Sequence, residues 1–129
     1  MKETAIKENH LYLKTFRQGA RFVGRTVAVY VLKDFAAKRL KQAHPEKIKV
    51  NRLGLSVTKK VGGAVQRNRA KRIIRAAYRE LIGQRPIKTG YLVVISAKPE
   101  IDGKSSRDVY ADLSRAMQKL DMYCKVETP

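Results

Sequence analysis

The chain has 129 residues, 43% of them hydrophobic, which suits one folded domain over residues 1–129 and excludes an intrinsically disordered protein. Its formal net charge is +18. Residues 1–90 hold 23 basic and 5 acidic side chains, which is the whole surplus, so the positive charge is concentrated and indicates a binding face.

The first predicted element is a helix over residues 6–18. Tyr12 and Phe16 are four residues apart, so a helix places both rings on one face. Gly19 is a plausible helix stop. Aromatic side chains at this spacing more often pack in a core than bind a ligand, so the residues alone favour a core position for Phe16.

Three strands and one long connection are predicted next. Two short strands, rich in Val and Tyr, are expected at residues 21–23 and 26–32. Residues 34–48 contain a His-Pro-Glu breaker and are interpreted as a surface insertion between two strands. Alternating apolar and polar side chains predict the following strand over residues 49–58.

A helix over residues 64–82 is the best-defined element. Apolar side chains recur at helical spacing and predict one buried stripe, formed by Ala70, Ile73, Ile74, Ala77 and Leu81. Polar side chains form a second stripe on another face, made of Asn68, Arg72, Arg75 and Arg79. Gly83 and Pro86 mark the end of this helix.

The last third of the chain is neutral in charge and is predicted to be scaffold. A continuous apolar run over residues 91–97 is typical of a buried strand. Ser105 or Ser106 is expected to cap a final helix, with Asp108 near its positive end. The predicted order is αβββαβα, which favours a single-domain α+β sandwich.

Residues 56–80, which include the basic helix, hold eight Lys or Arg side chains and a single acid, Glu80. Solvated helices normally interleave Glu with their basic residues, so this density implies repulsion that a polyanion would relieve. We therefore expect a nucleic acid, with a membrane surface as the weaker alternative. The turn at Gly62 and Gly63 before the helix is a further place where an anion could bind.

No catalytic constellation is apparent in the sequence. The histidines, His10 and His44, have no second metal ligand near them, and no carboxylate pair or metal spacing occurs. The longest apolar run, residues 27–32, is too short to cross a bilayer. The chain start lacks the apolar core of a signal peptide, and the single cysteine, Cys124, fits a reducing compartment. We expect a cytoplasmic protein with no catalytic side chain, no metal site and no membrane partner.

Three segments carry a specific resemblance. Residues 52–62 read RLGLSVTKKVG, residues 64–69 read AVQRNR and residues 71–75 read KRIIR. Together they strongly resemble the bacterial ribonuclease P protein subunit, whose signature matches the Arg-Asn-Arg triplet. The likeness extends to Tyr12, Phe16 and Gly19 and to the GYLVVI run at residues 90–95, so it covers most of the chain.

The resemblance implies an α/β sandwich with a left-handed βαβ crossover through the basic helix, the ribosomal protein S5 domain 2-like fold. It implies a protein that assists a catalytic RNA in removing the 5′ leader from precursor tRNA. The catalytic RNA subunit and precursor tRNA are the implied partners, with no obligate protein partner. Mg²⁺ ions held mainly by the RNA would perform the hydrolysis.

Site residues follow from the resemblance position by position. The implied RNA contacts are Arg52, Lys59, Lys60, Arg67, Asn68, Arg69, Lys71, Arg72 and Arg75. The implied cleft for the single-stranded leader is formed by Tyr12, Phe16, Tyr30 and Ser56. This assignment moves Phe16 from the core to the cleft.

Two alternatives remain open at this point. A binding module, such as a ribosomal protein or an RNA chaperone, would carry the same basic helix without supporting cleavage. A protein-only nuclease would cleave without RNA, and the scattered acids of this chain argue against it.

Residues 34–48 are longer than the usual connection in the resembled family, and the chain starts close to its first helix.

Overall fold

A computed structural model describes residues 4–6, 8–34 and 51–124. Its elements in chain order are β1 (Thr4–Ala5), α1 (Asn9–Gln18), β2 (Ala20–Val23), β3 (Val27–Lys33), β4 (Arg52–Ser56), α2 (Ala64–Gln84), β5 (Tyr91–Ala97), a 3₁₀ turn (Pro99–Ile101) and α3 (Ser106–Lys119). The α+β class is confirmed. The predicted surface insertion at residues 34–48, which includes His44, lies outside the described residues apart from Asp34.

All described strands form one five-stranded sheet in the order β1-β4-β5-β3-β2. The central strand β5 is parallel to β4 and antiparallel to β3. The predicted order αβββαβα is confirmed from the first helix onward, and the structure adds one parallel edge strand before it, in which Thr4 and Ala5 pair with β4. The first helix accordingly begins at Asn9, since the backbone N–H of Ile6 donates to the carbonyl oxygen of Leu53 at 3.0 Å instead of joining a helix.

Helices cover the two faces of the sheet unequally. On one face α2 and α3 pack a large core, in which Ile74, Leu81 and Leu113 are fully buried. On the other face α1 is the single helix among the described residues, and it packs a small cluster around Leu92 and Val94, with its aromatic rings half-buried. The sheet therefore has a closed face and an open face.

The crossover from β4 through α2 to β5 is left-handed. The side chain of Leu53 packs in the core under α2, whereas its carbonyl points to β1 and accepts the Ile6 N–H. For an L-residue in an upward strand with its side chain toward the viewer, chirality directs the carbonyl to the right. β1 thus lies right of β4 and β5 lies left of it, which is the rare hand of a βαβ unit and confirms the implied topology.

The two stripes predicted for the basic helix are confirmed. Its buried side chains are Ala70, Ile74, Ala77, Tyr78 and Leu81. The predicted buried stripe did not include Tyr78, and its member Ile73 is only half-buried. The helix also continues through Gly83 to Gln84, because its last turn lies on the surface, where glycine costs the helix little beyond backbone entropy.

Hydrogen bonds from α3 hold the scaffold third in place. Ser105 donates to the Asp108 carboxylate through its backbone N–H at 2.9 Å and its hydroxyl at 3.1 Å, so the predicted cap is confirmed. These bonds hold the pKa of Asp108 below its ordinary value. The buried carboxylate of Asp112 accepts from the N–H and hydroxyl of Thr26, which ties α3 to the β2–β3 turn.

Candidate nucleic-acid interface

The outer stripe of α2 is an exposed basic surface. Asn68, Arg72, Arg75 and Arg79 are all exposed, because the opposite side of the helix packs on the sheet. Lys59 and Lys60 are exposed in the turn that precedes the helix. The structure therefore leaves five of the nine predicted RNA contacts exposed, namely Lys59, Lys60, Asn68, Arg72 and Arg75.

The helix start adds unpaired backbone donors to this basic surface. The capping residue Gly63 provides no side-chain hydrogen bond to the first turn. Gly62 has a φ of +144°, a conformation that side chains rarely adopt, so glycine is required for the chain to turn here. First-turn N–H groups beside two lysines can donate hydrogen bonds to an anion such as a phosphate.

The Arg-Asn-Arg triplet does not act as one unit. Asn68 is fully exposed, whereas Arg67 and Arg69 are half-buried. Arg69 donates one guanidinium N–H to the carbonyl oxygen of Lys104 at 2.6 Å, which links α2 to the segment before α3. Arg67 has a buried Nε atom without a hydrogen-bond partner among the described residues. Arg69 thus has a structural contact in addition to any RNA contact.

Phe16 and Tyr30 form an aromatic pair on the open face. Their ring centroids are 4.8 Å apart with an interplanar angle of 85°, an edge-to-face contact between α1 and β3. Both side chains are half-buried and pack against the small cluster of this face. The ring of Phe16 therefore contacts the core and still keeps exposed surface, and its place in the leader cleft stays a prediction.

Tyr12 is separated from that pair although it shares a helix face with Phe16. Its ring lies over Gly54 of β4, where an added Cβ would come within 2.6 Å of the ring. Because β5 lies between β3 and β4, α1 crosses the sheet obliquely and places its two rings over different strands. Ser56, half-buried, lies on the same face two residues beyond Gly54. Glycine within a strand often marks a site where another group approaches the backbone closely. Gly54 was therefore a signal in the sequence for the position of the Tyr12 ring, and it was not recognised.

A groove opens beside Tyr12 at the β1 edge of the sheet. Its volume is about 380 Å³, and its lining residues are Ala5, Tyr12, Leu53, Leu55, Lys71 and Arg75. Two predicted RNA contacts from α2 and one predicted cleft residue from α1 thus meet at one concave surface. This arrangement was not anticipated from the sequence.

Arg52 is a correction to the predicted RNA contacts. Its side chain is only 11% exposed and donates to both carboxylate oxygens of Asp34, at 2.7 and 2.9 Å. A third contact reaches Glu8 at the start of α1, at 3.4 Å. The hydrogen bond with Asp34 raises the pKa of Arg52. Because its charge is neutralised inside the protein, Arg52 orders β3, β4 and α1 and is not carried forward as an RNA contact.

The same ion pair corrects the first residue of the predicted surface insertion. Asp34 is buried, with a side chain only 2% exposed, because it accepts from Arg52. The remainder of the insertion lies outside the described residues. The sequence showed no sign of this pairing, since its partners are 18 residues apart.

The described residues offer no metal-binding cluster of three or more His, Cys, Asp or Glu side chains. His10 is exposed on α1. Cys124 is half-buried and follows α3. Among the helices that the structure describes, none has the length and hydropathy needed to span a membrane.

Comparison with known proteins identifies relatives along most of the chain. The family model for ribonuclease P matches residues 1–121. The ribonuclease P protein component of Shouchella clausii is 40% identical over 118 residues, which cover 92% of this chain and 86% of the relative. That of Clostridium botulinum is 32% identical over 123 residues, which cover 95% of this chain and 99% of the relative.

Solved structures with the same fold agree with these relatives. The RNase P protein of Staphylococcus aureus superposes with a TM-score of 0.68 at 22% identity, covering 95% of this chain and 100% of that protein. The RNase P protein of Thermotoga maritima has a TM-score of 0.66 at 21% identity, covering 88% and 94%. From the family match and the sequence identities, the chain belongs to the ribonuclease P protein component family.

Proposed function

We propose that this protein binds the catalytic RNA subunit through the outer stripe of α2 and holds the 5′ leader of precursor tRNA on the open face of the sheet. The observation that carries the proposal is the presence of two surfaces of different chemistry on one sheet. One surface is cationic and the other presents half-exposed aromatic rings. Together they assist endonucleolytic removal of the leader.

The cationic surface suits a folded RNA partner. Arg72, Arg75, Lys59 and Lys60 are exposed, and Glu80 is the single acid of α2. Each phosphate that such side chains neutralise releases condensed counterions, which makes the binding strong and dependent on salt. Asn68 adds a polar side chain that can donate and accept hydrogen bonds among these charges.

The open face suits a single strand. Unpaired bases stack on aromatic side chains, and the edge-to-face contact of Phe16 with Tyr30 leaves part of both rings exposed. Ser56 offers a hydroxyl on the same side of the sheet, and the chain leads from it to Lys59 and Lys60. A leader crossing this face would therefore meet rings first and cations afterwards.

Catalysis in this proposal belongs to the RNA. The side chains described here bring no cluster of metal ligands together, so they do not fit a protein-held Mg²⁺ ion. The protein would bind and orient two polyanions, with the catalytic Mg²⁺ held mainly by RNA oxygens. A cytoplasmic location, favoured by the single cysteine, belongs to the same proposal.

Reconstitution tests the proposal. Precursor tRNA is incubated at low magnesium with a bacterial catalytic RNA, with and without the protein, and 5′ cleavage is measured. We expect cleavage to depend on the protein. RNA binding without stimulation would assign the protein to the RNA-binding modules, and cleavage without added RNA would make it a nuclease by itself.

A further inference from the structure

Three cationic side chains from different elements meet at the turn between β2 and β3. Arg25 is exposed in this turn. Lys98, the first residue after β5, donates from its Nζ atom to the carbonyl oxygen of Gly24 at 2.9 Å. Arg115 of α3 reaches the turn beside Asp112, since its Nη2 atom lies 3.7 Å from the Asp112 carboxylate. Arg25, Lys98 and Arg115 are called the turn cluster below.

One buried carboxylate holds the turn cluster in place without neutralising it. Asp112 accepts from the backbone N–H of Thr26 at 2.7 Å and from the Thr26 hydroxyl, so its charge is directed into the turn. Its contact with Arg115 is longer, and the Arg115 side chain is 62% exposed. Among the described residues, no other carboxylate forms an ion pair with the three cations. Three cations and one carboxylate leave a surplus of two positive charges at the turn.

The donors of the turn cluster are suited to phosphate oxygens. Arg25 has no hydrogen bond, ion pair or ring contact with any described residue. Lys98 has three Nζ donors and uses one of them on Gly24. None of the three cations lies over an aromatic ring in the described part of the chain, so the cluster pairs no cation with a ring on which an unpaired base could stack.

The turn cluster lies at the same end of the sheet as Lys59 and Lys60. β4 and β5 are parallel neighbours, so the chain segments that follow them leave the sheet at one end. Val27, the first residue of β3, pairs with Ala97, the last residue of β5, which places the β2–β3 turn at this end too. Neighbouring strands are about 4.8 Å apart, so cations from β4 to β2 extend over roughly 15 Å. One extended polyanion can therefore contact both groups of cations.

The turn cluster is separate from the Phe16–Tyr30 pair. Those rings pack under α1 on the open face. Arg115 and Asp112 belong to α3, which covers the closed face. A phosphate bound at the turn would therefore belong to a different part of an RNA from a base stacked on Phe16.

We propose that the turn cluster binds the phosphate backbone of a double-stranded RNA segment in the assembled complex. A duplex keeps its bases stacked inside and presents its phosphates outside, which matches cations without neighbouring rings. The inference rests on the proposed function, because the duplex belongs either to the catalytic RNA or to a stem of the tRNA. Both sources present the same backbone. Sequence reasoning placed Lys98 and Arg115 in the neutral scaffold, and only the fold brings them to Arg25.

The first test is a titration of the full chain with a blunt RNA duplex of one helical turn, followed by nuclear magnetic resonance. We expect saturable shifts of the amide signals of Gly24, Arg25 and Thr26. In Arg25→Gln the same shifts should require a higher RNA concentration, while α2 signals respond as in wild type. A single strand of the same length should shift the turn signals less. Absence of turn shifts with the duplex, or equal shifts with the single strand, would overturn the proposal.

The second test measures RNA binding over a salt series. Arg25→Gln should reduce the salt dependence by about one unit of slope and leave unfolding unchanged, because Arg25 has no partner in the described structure. Lys33→Gln is the matched control, since Lys33 is an exposed cation at the opposite end of β3. Arg25→Lys keeps the charge and should keep the slope. An effect of Arg25→Gln no larger than that of Lys33→Gln would overturn the inference.

Two affinities distinguish the sources of the duplex. One is the affinity of the protein for the catalytic RNA alone, and the other is the affinity of the reconstituted complex for mature tRNA at saturating protein. A reduced slope in the first assigns the duplex to the catalytic RNA, and a reduced slope in the second assigns it to a tRNA stem. A loss confined to precursor tRNA would place Arg25 at the single-stranded leader and overturn the proposal.

The inference and the proposed function can fail separately. If the wild-type protein does not stimulate cleavage, the proposed function fails, and the duplex titration still tests the turn cluster. If it does stimulate cleavage and Arg25→Gln behaves like Lys33→Gln, only the assignment of the turn cluster fails.

Discussion

The two faces of the sheet bury their apolar and aromatic side chains to different extents. On the closed face, two helices bury Ile74, Leu81 and Met117 completely. On the open face, one helix of ten residues leaves Phe16 and Tyr30 half-buried. Burial of apolar surface stabilises the fold in proportion to the area removed from water, so the closed face carries most of the stability. The open face keeps aromatic surface available for a ligand.

Substitution of Arg52 has the largest expected effect on stability. Arg52 is an exception to the contrast between the two faces, because it is a buried charge on the open face. Arg52→Ala would remove two hydrogen bonds and a positive charge from the buried Asp34 carboxylate and should lower the free energy of unfolding by about 3–5 kcal/mol. Denaturant unfolding measures the change. Glu8→Gln removes only the half-exposed arm of the network and should cost about 1 kcal/mol or less. A cost of Arg52→Ala below that of Glu8→Gln would contradict the structural role.

Ile74→Ala tests the closed face directly. Ile74 is fully buried between α2 and the sheet, so the truncation should lower the free energy of unfolding by about 2–5 kcal/mol. Phe16→Ala on the open face serves as the comparison and should cost less, because its ring is only partly removed from water. Equal costs in denaturant unfolding would show that both faces stabilise the fold alike.

Phe16→Ala should affect binding more than folding. Loss of a stacking ring should weaken binding of precursor tRNA by about 1–3 kcal/mol while mature tRNA, which lacks the leader, binds as before. Affinities of the reconstituted complex for both tRNAs measure this difference. Leu13→Ala, on the same helix and 49% exposed, is the matched control. Equal loss of affinity for precursor and mature tRNA would show that the Phe16 ring serves only to pack the core.

The smallest expected effect concerns single charges on α2. Arg72→Gln should reduce the salt dependence of RNA-subunit binding by about one unit of slope, with unfolding unchanged, because Arg72 is exposed. Arg69→Ala should reduce stability as well, since it also loses the bond to Lys104. Binding measured over a salt series separates the two variants. An unchanged slope in Arg72→Gln would exclude a phosphate contact there.

Local signals explain why much of the fold could be predicted. The spacing of Ala70, Ile74 and Leu81 specifies a buried helix face within one element, and the Ser105–Asp108 cap spans only three residues. Such patterns depend on neighbours along the chain. The edge strand Thr4–Ala5 could not be recognised, because two residues carry no periodicity and their pairing depends on β4, far along the sequence.

The candidate site likewise has features that could be predicted from the sequence and features that could not. The exposed positions of Asn68 and Arg72 follow from helix geometry, so the outer polar stripe of α2 was visible in the sequence. The separation of Tyr12 from Phe16 was not, because it depends on the oblique crossing of α1 over three strands. The groove with Lys71 and Arg75 is visible only when α1, β4 and α2 are placed together.

By itself the sequence determined the class of fold, the basic helix with its two stripes and, through its motifs, the family, and its charge predicted a polyanionic partner. Only the tertiary structure decided which cations are available to that partner. Arg52 and Arg72 are the same residue type in the same basic region, yet one is neutralised by Asp34 and Glu8 and the other is exposed. The physical reason is that exposure and ion pairing are set by chain segments distant in sequence, whereas helix faces and charge density are set locally.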